Sequence, residues 1–390
     1  MHSVGLWRDI LIQNSMENPL KNFFNFSRFF RSGSESAVGI DIGSSFIKIV
    51  QLKKKGGRAI LETYGELALG PYAGLVTGQI TNLSGDKLAE ALSDILKEAH
   101  VSTKSSAISI PFSASLISLI ELPKASENQL DTVIPLEARK YIPVPISEVS
   151  LDWWIVPRRD EYETEAEKKP DPKTQKIDVM IAAIHNDTID KYKDVIRRVG
   201  VTDVFFEIET FSTIRSTFGH DMKLIMVLDM GAGTTKLSIV EHGIVKSSHV
   251  ISRGSQDITV ALSRSLSISL ESAEEMKRAY GLIGKEGSPE IAKTVSLSTD
   301  YIFSEVNRVL LNYEKKYNKT IDKVILTGGG VLLRGFKEAA VSILRAEALY
   351  GDSFSKIEFP AFLGDTLREA GPEFSVAIGL ALRKLQENNP

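Results

Sequence analysis

Cysteine is absent from the 390-residue chain, which excludes disulfide bridges, zinc thiolate sites and cysteine nucleophiles. The six histidines are scattered without ligand-like spacing, so we expect no histidine-based metal site. A formal net charge of −3 gives no general attraction to nucleic acid, and we expect no nucleic-acid partner. No apolar run approaches the ~18–20 residues of a membrane-spanning helix, and the first residues lack the pattern of a signal peptide.

Residues 38–50 are the first stretch that indicates chemistry. An apolar run, an Asp-x-Gly-Ser-Ser turn and alternating apolar residues predict a strand, a tight turn and a second strand. Gly43 lets the backbone pass close to an anion, and the N–H groups and hydroxyls after it can donate to phosphate oxygens. Taken alone, the pattern is also common turn chemistry. The candidate residues are Asp41, Gly43, Ser44, Ser45 and Lys48.

Residues 228–240 repeat this pattern with the same spacing from Asp to Lys. The candidate residues of this second hairpin are Asp229, Gly231, Ala232, Gly233, Thr234, Thr235 and Lys236. A third glycine-rich turn, Gly328, Gly329 and Gly330, follows another apolar strand. Together the three segments resemble the two phosphate loops and the adenosine loop of the actin-like ATPase superfamily. The resemblance implies bound ATP and Mg²⁺, with Asp41 and Asp229 holding the metal through water.

This resemblance implies an α/β protein with the actin-like ATPase fold, in which two duplicated α/β domains surround a nucleotide cleft. We expect the first domain at residues 37–111 and 201–220, and the second at residues 221–390. Residues 112–200 form a separate piece whose pattern predicts strand, helix, strand, strand and helix. Residues 1–36 are an aromatic and basic extension that suits a membrane interface or a partner, although a packed helix or a tail would also explain it.

Residues 137–145, 148–152 and 179–184 narrow the resemblance to PilM, a family of type IV pilus assembly proteins related to the division protein FtsA. In both families this piece is an inserted subdomain. The resemblance implies a cytoplasmic protein that lies at the inner membrane through its partners. It further implies binding to the N-terminal cytoplasmic tail of PilN, a link to the pilus inner-membrane complex and motor proteins, and possible self-association.

The resemblance also assigns roles around the nucleotide. Glu274 and Lys277 match a pair that meets ribose and adenine, although by spacing alone they suit an exposed ion pair on a helix. Glu209 matches an acidic position that helps to place the attacking water. A proline usually follows that position, and Thr210 follows it here. The sequence therefore leaves open whether ATP is hydrolysed.

The partner site is predicted on the inserted piece. A helix from Ser126 to Tyr141 is expected to form one wall of a groove, with both helices of the insertion on one side of its sheet. The wall residues are Glu137, Arg139, Lys140 and Tyr141. The alternative for Tyr141 is that it packs in the core of the inserted piece and does not contact a partner. For the whole chain, the alternatives are a division or type II secretion protein of the same superfamily, and a sugar-kinase-type phosphotransferase.

Overall fold

The computed structural model describes residues 35–123, 127–156, 176–219 and 223–387. The aromatic N-terminal stretch, Ser126 and most of the charged segment between the last two strands of the insertion lie outside the described residues. The strands are β1 (Ser36–Ile42), β2 (Phe46–Lys55), β3 (Arg58–Ala68), β4 (Ser105–Ile110), β5 (Ser115–Pro123), β6 (Val149–Val156), β7 (Lys176–His185), β8 (Asp203–Ile208), β9 (Leu224–Met230), β10 (Thr235–Glu241), β11 (Ile244–Ile251), β12 (Lys323–Thr327) and β13 (Glu347–Tyr350). The α-helices are α1 (Gly85–Glu98), α2 (Glu127–Ala138), α3 (Asn186–Val199), α4 (Glu209–Thr217), α5 (Ser255–Leu266), α6 (Leu270–Tyr280), α7 (Pro289–Tyr317), α8 (Phe336–Leu344), α9 (Gly364–Ala370) and α10 (Ser375–Glu387).

Two five-stranded sheets have equivalent strand orders, β3-β2-β1-β4-β8 and β11-β10-β9-β12-β13. In each sheet, an antiparallel hairpin is followed by a strand parallel to its first member, β4 beside β1 and β12 beside β9. β4 is buried along its whole length, as expected for a parallel strand that is covered on both faces. The duplicated order places both glycine hairpins at equivalent positions of the two sheets.

Helix α10 packs between the first sheet and helix α4. Glycines at both contacts allow the backbones to approach each other closely. A Cβ on Gly39 in β1 would overlap the carbonyl oxygen of Ala377 in α10. A Cβ on Gly379 in α10 would overlap the carbonyl oxygen of Ser212 in α4. A side chain at either position would push these elements apart.

The inserted piece forms a third sheet of order β5-β7-β6, with the predicted order of strands and helices. The prediction that both helices cover one side of this sheet is wrong. Ile134 of α2 packs in a cluster with Ile181 of β7, whereas Tyr192 of α3 packs with Met180 and the core of the first sheet. Successive residues of a strand point to opposite faces, so the two helices lie on opposite sides of the sheet.

The predicted end of the first helix of the insertion is also wrong. α2 ends at Ala138, three residues before Tyr141. The residues after Gly254 form two helices, because Ser267 adopts a left-handed conformation (φ 53°) at the end of α5 and Ser269 caps α6. α7 begins at Pro289, because proline suits the first position of a helix. The four-residue strand β13 and helix α9 had no clear sequence signal.

Candidate nucleotide site

The first hairpin closes through a tight turn between β1 and β2. The Gly43 N–H donates to the carbonyl oxygen of Phe46 at 2.9 Å. Asp41 and Lys48 stand directly opposite each other in the ladder. The carboxylate of Asp41 accepts a hydrogen bond from the Ser109 hydroxyl at 2.9 Å.

The charges of this hairpin do not pair across its own ladder. Lys48 Nζ lies 3.1 Å from Glu66 Oε1 on β3. Burial disfavours the Lys48 ammonium, but Glu66 and other nearby carboxylates outweigh this effect and raise its pKa. Burial, together with the nearby charge of Glu209, raises the pKa of Asp41 to about 6.

The second hairpin repeats the turn, and the start of α5 supports it. The Gly231 N–H donates to the Thr234 carbonyl at 2.9 Å, which is the bond that Gly43 makes in the first hairpin. The N–H groups of Ser255 and Gln256 donate to the carbonyls of Gly231 and Ala232 at 2.9 and 3.0 Å. The loop carbonyls are therefore held by a helix N-terminus, which adds positive potential beside the loop.

Lys236 joins two carboxylates from different parts of the chain. Its Nζ lies 2.9 Å from Asp229 Oδ2, directly opposite in the ladder, and 2.7 Å from Glu209 Oε2 at the start of α4. The three side chains are only 13–16% exposed. Burial disfavours the Lys236 ammonium, but Asp229 and Glu209 outweigh it and raise the pKa of Lys236 above its ordinary value. The other oxygen of Glu209 accepts from the Phe112 N–H at 2.6 Å.

A strap formed by residues 78–81 connects the two hairpins and was not found from the sequence. The Thr81 N–H donates to the Ser44 carbonyl at 2.8 Å, and the Ile80 N–H donates to the Gln256 side chain at 2.6 Å. A Cβ on Gly233 would lie 3.0 Å from the Ile80 side chain and 3.8 Å from the Ser44 hydroxyl. The two hairpins thus meet at Ser44 and Gly233, and the strap contacts both of them. The sequence of the strap contains no recognisable motif.

Glu274 and Lys277 form an ion pair, but a largely buried one. Lys277 Nζ lies 2.6 Å from Glu274 Oε2, with side chains 9% and 15% exposed. Glu274 also accepts from the Thr259 hydroxyl at 2.6 Å and from Arg278 at 2.9 Å. The pair therefore ties α6 to α5, and the expectation of an exposed ion pair is wrong. Burial lowers the pKa of Lys277, although Glu274 opposes this effect.

The third glycine turn contacts the second hairpin. Gly328 has φ 81°, and a Cβ there would overlap Asp229 Oδ1. A Cβ on Gly330 would lie 2.5 Å from the Met230 side chain, and one on Gly329 would lie 3.1 Å from Glu373 Oε1. Glycine is needed at Gly328 for both conformation and space. The third loop therefore adjoins the second hairpin, which meets the first at Ser44 and Gly233, and we call the region where the three predicted loops adjoin one another the cleft.

The donor set at this cleft does not suit a directly coordinated Mg²⁺. The described residues contain no group of three or more acidic, histidine or cysteine side chains that could hold a metal ion. One of the two predicted metal carboxylates, Asp229, already binds the Lys236 ammonium. A magnesium ion here would have to be held through water or by phosphates, as predicted from the resemblance.

The predicted partner residues lie at the end of α2. Lys140 Nζ lies 2.7 Å from Glu137, and the backbone N–H of Tyr141 closes a turn onto the Ala138 carbonyl. Arg139 lies in this turn, beyond the helix. Tyr141 is 44% exposed, so its alternative place in the core is wrong. Val133 and Leu136 on α2 are also exposed.

A separate groove of about 370 Å³ lies between the inserted sheet and the second half of the chain. The edge strands β5 and β11 and helix α7 form its walls. Its basic side chains are Lys246 and Lys316, and Tyr313 and Tyr317 lie at its helix side. The sequence predicted a groove beside the insertion with the first inserted helix as a wall. This groove instead lies at β5, β11 and α7.

Comparison with known proteins decides the family. The family model "Type IV pilus assembly protein PilM" matches residues 39–385. The chain belongs to the PilM family. A solved structure described as a PilM–PilN type IV pilus biogenesis complex is similar, with a TM-score of 0.75 and 25% identity, over 90% of this chain and 99% of that one.

More distant relatives support the fold. FtsA of Neisseria meningitidis serogroup B is 23% identical over 359 residues, which cover 83% of this chain and 85% of FtsA. MreB5 of Spiroplasma citri, solved bound to ADP, is 12% identical with a TM-score of 0.50, over 92% of this chain and all of that one. The predicted α/β, actin-like ATPase fold and the relation to FtsA are confirmed. The chain is an actin-like component of type IV pilus assembly.

No helix among the described parts of this PilM-family chain combines the length and apolar character needed to cross a membrane.

Proposed function

We propose that this PilM-family protein binds ATP between its two hairpins and binds the N-terminal cytoplasmic tail of PilN at the inner membrane. The observation that carries the nucleotide proposal is the meeting of Ser44 and Gly233, the tips of two equivalent glycine hairpins, with the third glycine turn packed on Asp229. MreB5, which shares this fold, was solved bound to ADP, and this supports a nucleotide as the ligand.

Each part of the cleft has a distinct proposed task. The N–H groups and hydroxyls of the two hairpin turns would donate to phosphate oxygens. Lys277 and Glu274 of α6, which both contact Thr259 of α5, would face the ribose and adenine. Closure of the two halves around the nucleotide would change the position of the inserted sheet relative to the second half, which is how nucleotide could alter the grip on a partner.

The partner proposal rests on the similar PilM–PilN complex and on the inserted sheet. We place the PilN tail on the turn after α2, where Arg139 and Lys140 adjoin the exposed side chains of Leu136 and Tyr141. An extended peptide needs apolar contact for its side chains and charges that set its direction. Through PilN, the protein would lie on the cytoplasmic side of the inner membrane and connect to the pilus motor machinery.

A steric variant tests the nucleotide proposal. Gly233→Val would place a branched side chain against Ile80 and the Ser44 hydroxyl, where the two hairpins meet. Isothermal titration calorimetry with Mg-ATP should show strong binding by wild type and strongly weakened binding by this variant. Gly364→Val is the matched control, because within the described residues no atom beyond its own local backbone and chain neighbours lies within 4 Å of the added Cβ. Equal affinities of the folded variants would place the nucleotide elsewhere.

A further inference from the structure

The groove between the inserted sheet and the second half of the chain is bordered by the edges of two strands. β5 ends the inserted sheet and β11 ends the second sheet, so among the described strands each pairs on one side only. Consecutive residues of both strands, 117–119 and 245–248, line the groove. Because successive side chains of a strand point to opposite faces, consecutive lining residues show that the strand edges border the groove.

The two edges differ in how well they suit a further strand. β5 pairs with β7 in an unbroken register from Ser115 to Pro123. β11 contains a bulge at Lys246, which has no counterpart in the otherwise continuous pairing of β11 with β10. A bulge turns an edge strand away from further pairing and redirects the side chain of its extra residue. The regular edge of β5 is therefore the one that suits an added peptide backbone.

The side chains that line the groove favour an anionic ligand. Its charged residues, within the described chain, are both lysines: Lys246 at the bulge of β11, and Lys316 on α7, whose Nζ lies 4.9 Å from the centre of the Tyr317 ring. Three serines, an asparagine and two tyrosines are among the other lining residues, and their side chains can donate hydrogen bonds. Carboxylates would complement both the charge and the donors.

We propose that this groove binds an extended acidic segment of a partner protein. The segment lies along β5, hydrogen-bonds to the backbone of that edge, and places carboxylates near Lys246 and Lys316. The inference goes beyond the proposed function, because it depends on neither ATP nor the PilN tail. Since β5 belongs to the insertion, whereas β11 and α7 belong to the second half, the bound segment contacts both parts of the chain.

A simpler role for the same features gives the opposite expectation. A bulge and a lysine at a sheet edge also prevent pairing with unwanted strands. If Lys246 served only that purpose, its removal would leave peptide binding unchanged or make it tighter. A binding role requires that removal of the lysines weakens it.

Selection from a random library of short displayed peptides, with the full chain as bait, tests the inference. Wild type should select peptides rich in Asp and Glu. In fluorescence anisotropy, Lys246→Met combined with Lys316→Met should bind these peptides at least about fivefold more weakly, the scale of two ion pairs near a surface. Lys246→Arg combined with Lys316→Arg retains both charges and should bind them. The matched control is Lys55→Met combined with Lys97→Met, because both are exposed lysines of the first half.

Two further measurements identify the mode and the site of binding. Methylation of alternate amide nitrogens in a selected peptide should weaken its binding by roughly tenfold or more, because it removes hydrogen bonds to β5. A saturating amount of the PilN-tail peptide should leave the selected peptide bound, since we place that tail on the turn after α2.

Any of four results would overturn the inference. These are the absence of acidic enrichment among the selected peptides, equal or tighter binding of those peptides by the double methionine variant, equal affinity of the methylated peptide, and displacement by the PilN tail. The last result would make the groove the PilN site. Failure of ATP or PilN binding elsewhere would contradict the proposed function and leave this inference standing.

Discussion

Lys236 faces Asp229 across the β9–β10 ladder and forms an ion pair with it, at 2.9 Å. The equivalent pair of the first hairpin, Lys48 and Asp41, has the same register, but Lys48 pairs with Glu66 instead. The next strand explains the difference, because Glu66 of β3 stands opposite Lys48, whereas Val250 of β11 stands opposite Lys236. Without a carboxylate on its outer neighbour, Lys236 turns to Asp229 and Glu209.

This difference makes the two hairpins unequal despite their common pattern. The first hairpin leaves the carboxylate of Asp41 with a hydroxyl partner, Ser109, and the second surrounds an ammonium with two carboxylates. We therefore expect metal, if it is present with nucleotide, to lie nearer the first hairpin, where no ammonium of the described residues lies within ion-pair distance of Asp41.

We expect the Glu274–Lys277 pair to contribute to binding of the nucleoside part of ATP and not of its phosphates. Glu274→Gln would weaken the contacts of α6 with Thr259 and Arg278 and disturb the surface offered to ribose and adenine. We expect the affinity for ATP to fall roughly tenfold, the scale of losing a charge-assisted hydrogen bond, while inorganic tripolyphosphate keeps its affinity. Calorimetry with both ligands checks this prediction. Equal losses for ATP and tripolyphosphate would show that the pair acts only on the structure of the cleft.

The turn after α2 predicts where the partner peptide binds. Arg139→Glu combined with Lys140→Glu should weaken binding of a synthetic PilN-tail peptide, because it reverses two charges beside Leu136 and Tyr141. The measurement is fluorescence anisotropy, with ATP binding as the check on folding. Lys246→Glu combined with Lys316→Glu is the comparison, since it makes the same change in the groove between β5, β11 and α7. A loss of affinity only in that second variant would move the peptide to the groove.

The burial of Asp152 in β6 leads us to expect that the free energy of unfolding depends on pH. It is 5% exposed, and its Oδ2 has no hydrogen-bond partner among the described residues. Burial raises the pKa of Asp152 from 3.8 to about 6, despite a hydrogen bond from the Trp153 N–H. The folded state thus holds the proton more tightly than the unfolded state, and this stabilisation is lost as the pH rises from about 4 to about 6.

Asp152→Asn removes this titration and should make the protein more stable above pH 6, by up to about 2 kcal/mol, with little gain at pH 4. Urea unfolding at both pH values measures the difference. Asp365→Asn is the control, because the Asp365 side chain is 99% exposed. A gain for Asp152→Asn that is the same at pH 4 and pH 7 would contradict the assignment to ionisation.

The close contact between β1 and α10 leads us to expect that a side chain at Gly39 strongly destabilises the protein. Gly39→Ala would place a methyl group into the Ala377 carbonyl, and rigid backbone on both sides cannot yield easily. We expect the free energy of unfolding to fall by about 1–3 kcal/mol, the range for overpacked cores. Gly85→Ala is the control, because beyond its own helix and chain neighbours the nearest described atom to its added Cβ is a side-chain oxygen of Asp194 at 3.7 Å. Chemical denaturation that shows equal stability for both variants would refute the close packing.

Sequence alone determined the local features of this protein. The Asp-x-Gly turns specify both hairpins, because glycine and short polar residues favour tight turns, and an equal Asp-to-Lys spacing gives both hairpins the same register. Hydrophobic periodicity predicted most strands and helices, and the glycine loops, taken together, indicated the actin-like fold.

Only the tertiary structure decided which charges meet. Lys236 and Glu209 are 27 residues apart and lie in different halves of the fold, and no spacing rule connects them. Helices α2 and α3 cover opposite sides of the inserted sheet because each packs its apolar face against a different core. The sequence of an amphipathic helix shows which face is apolar, but not which element that face contacts. The burial of Glu274 and Lys277 depends likewise on α5 lying beside them, because a pair at helical spacing has the same sequence whether water or protein covers it.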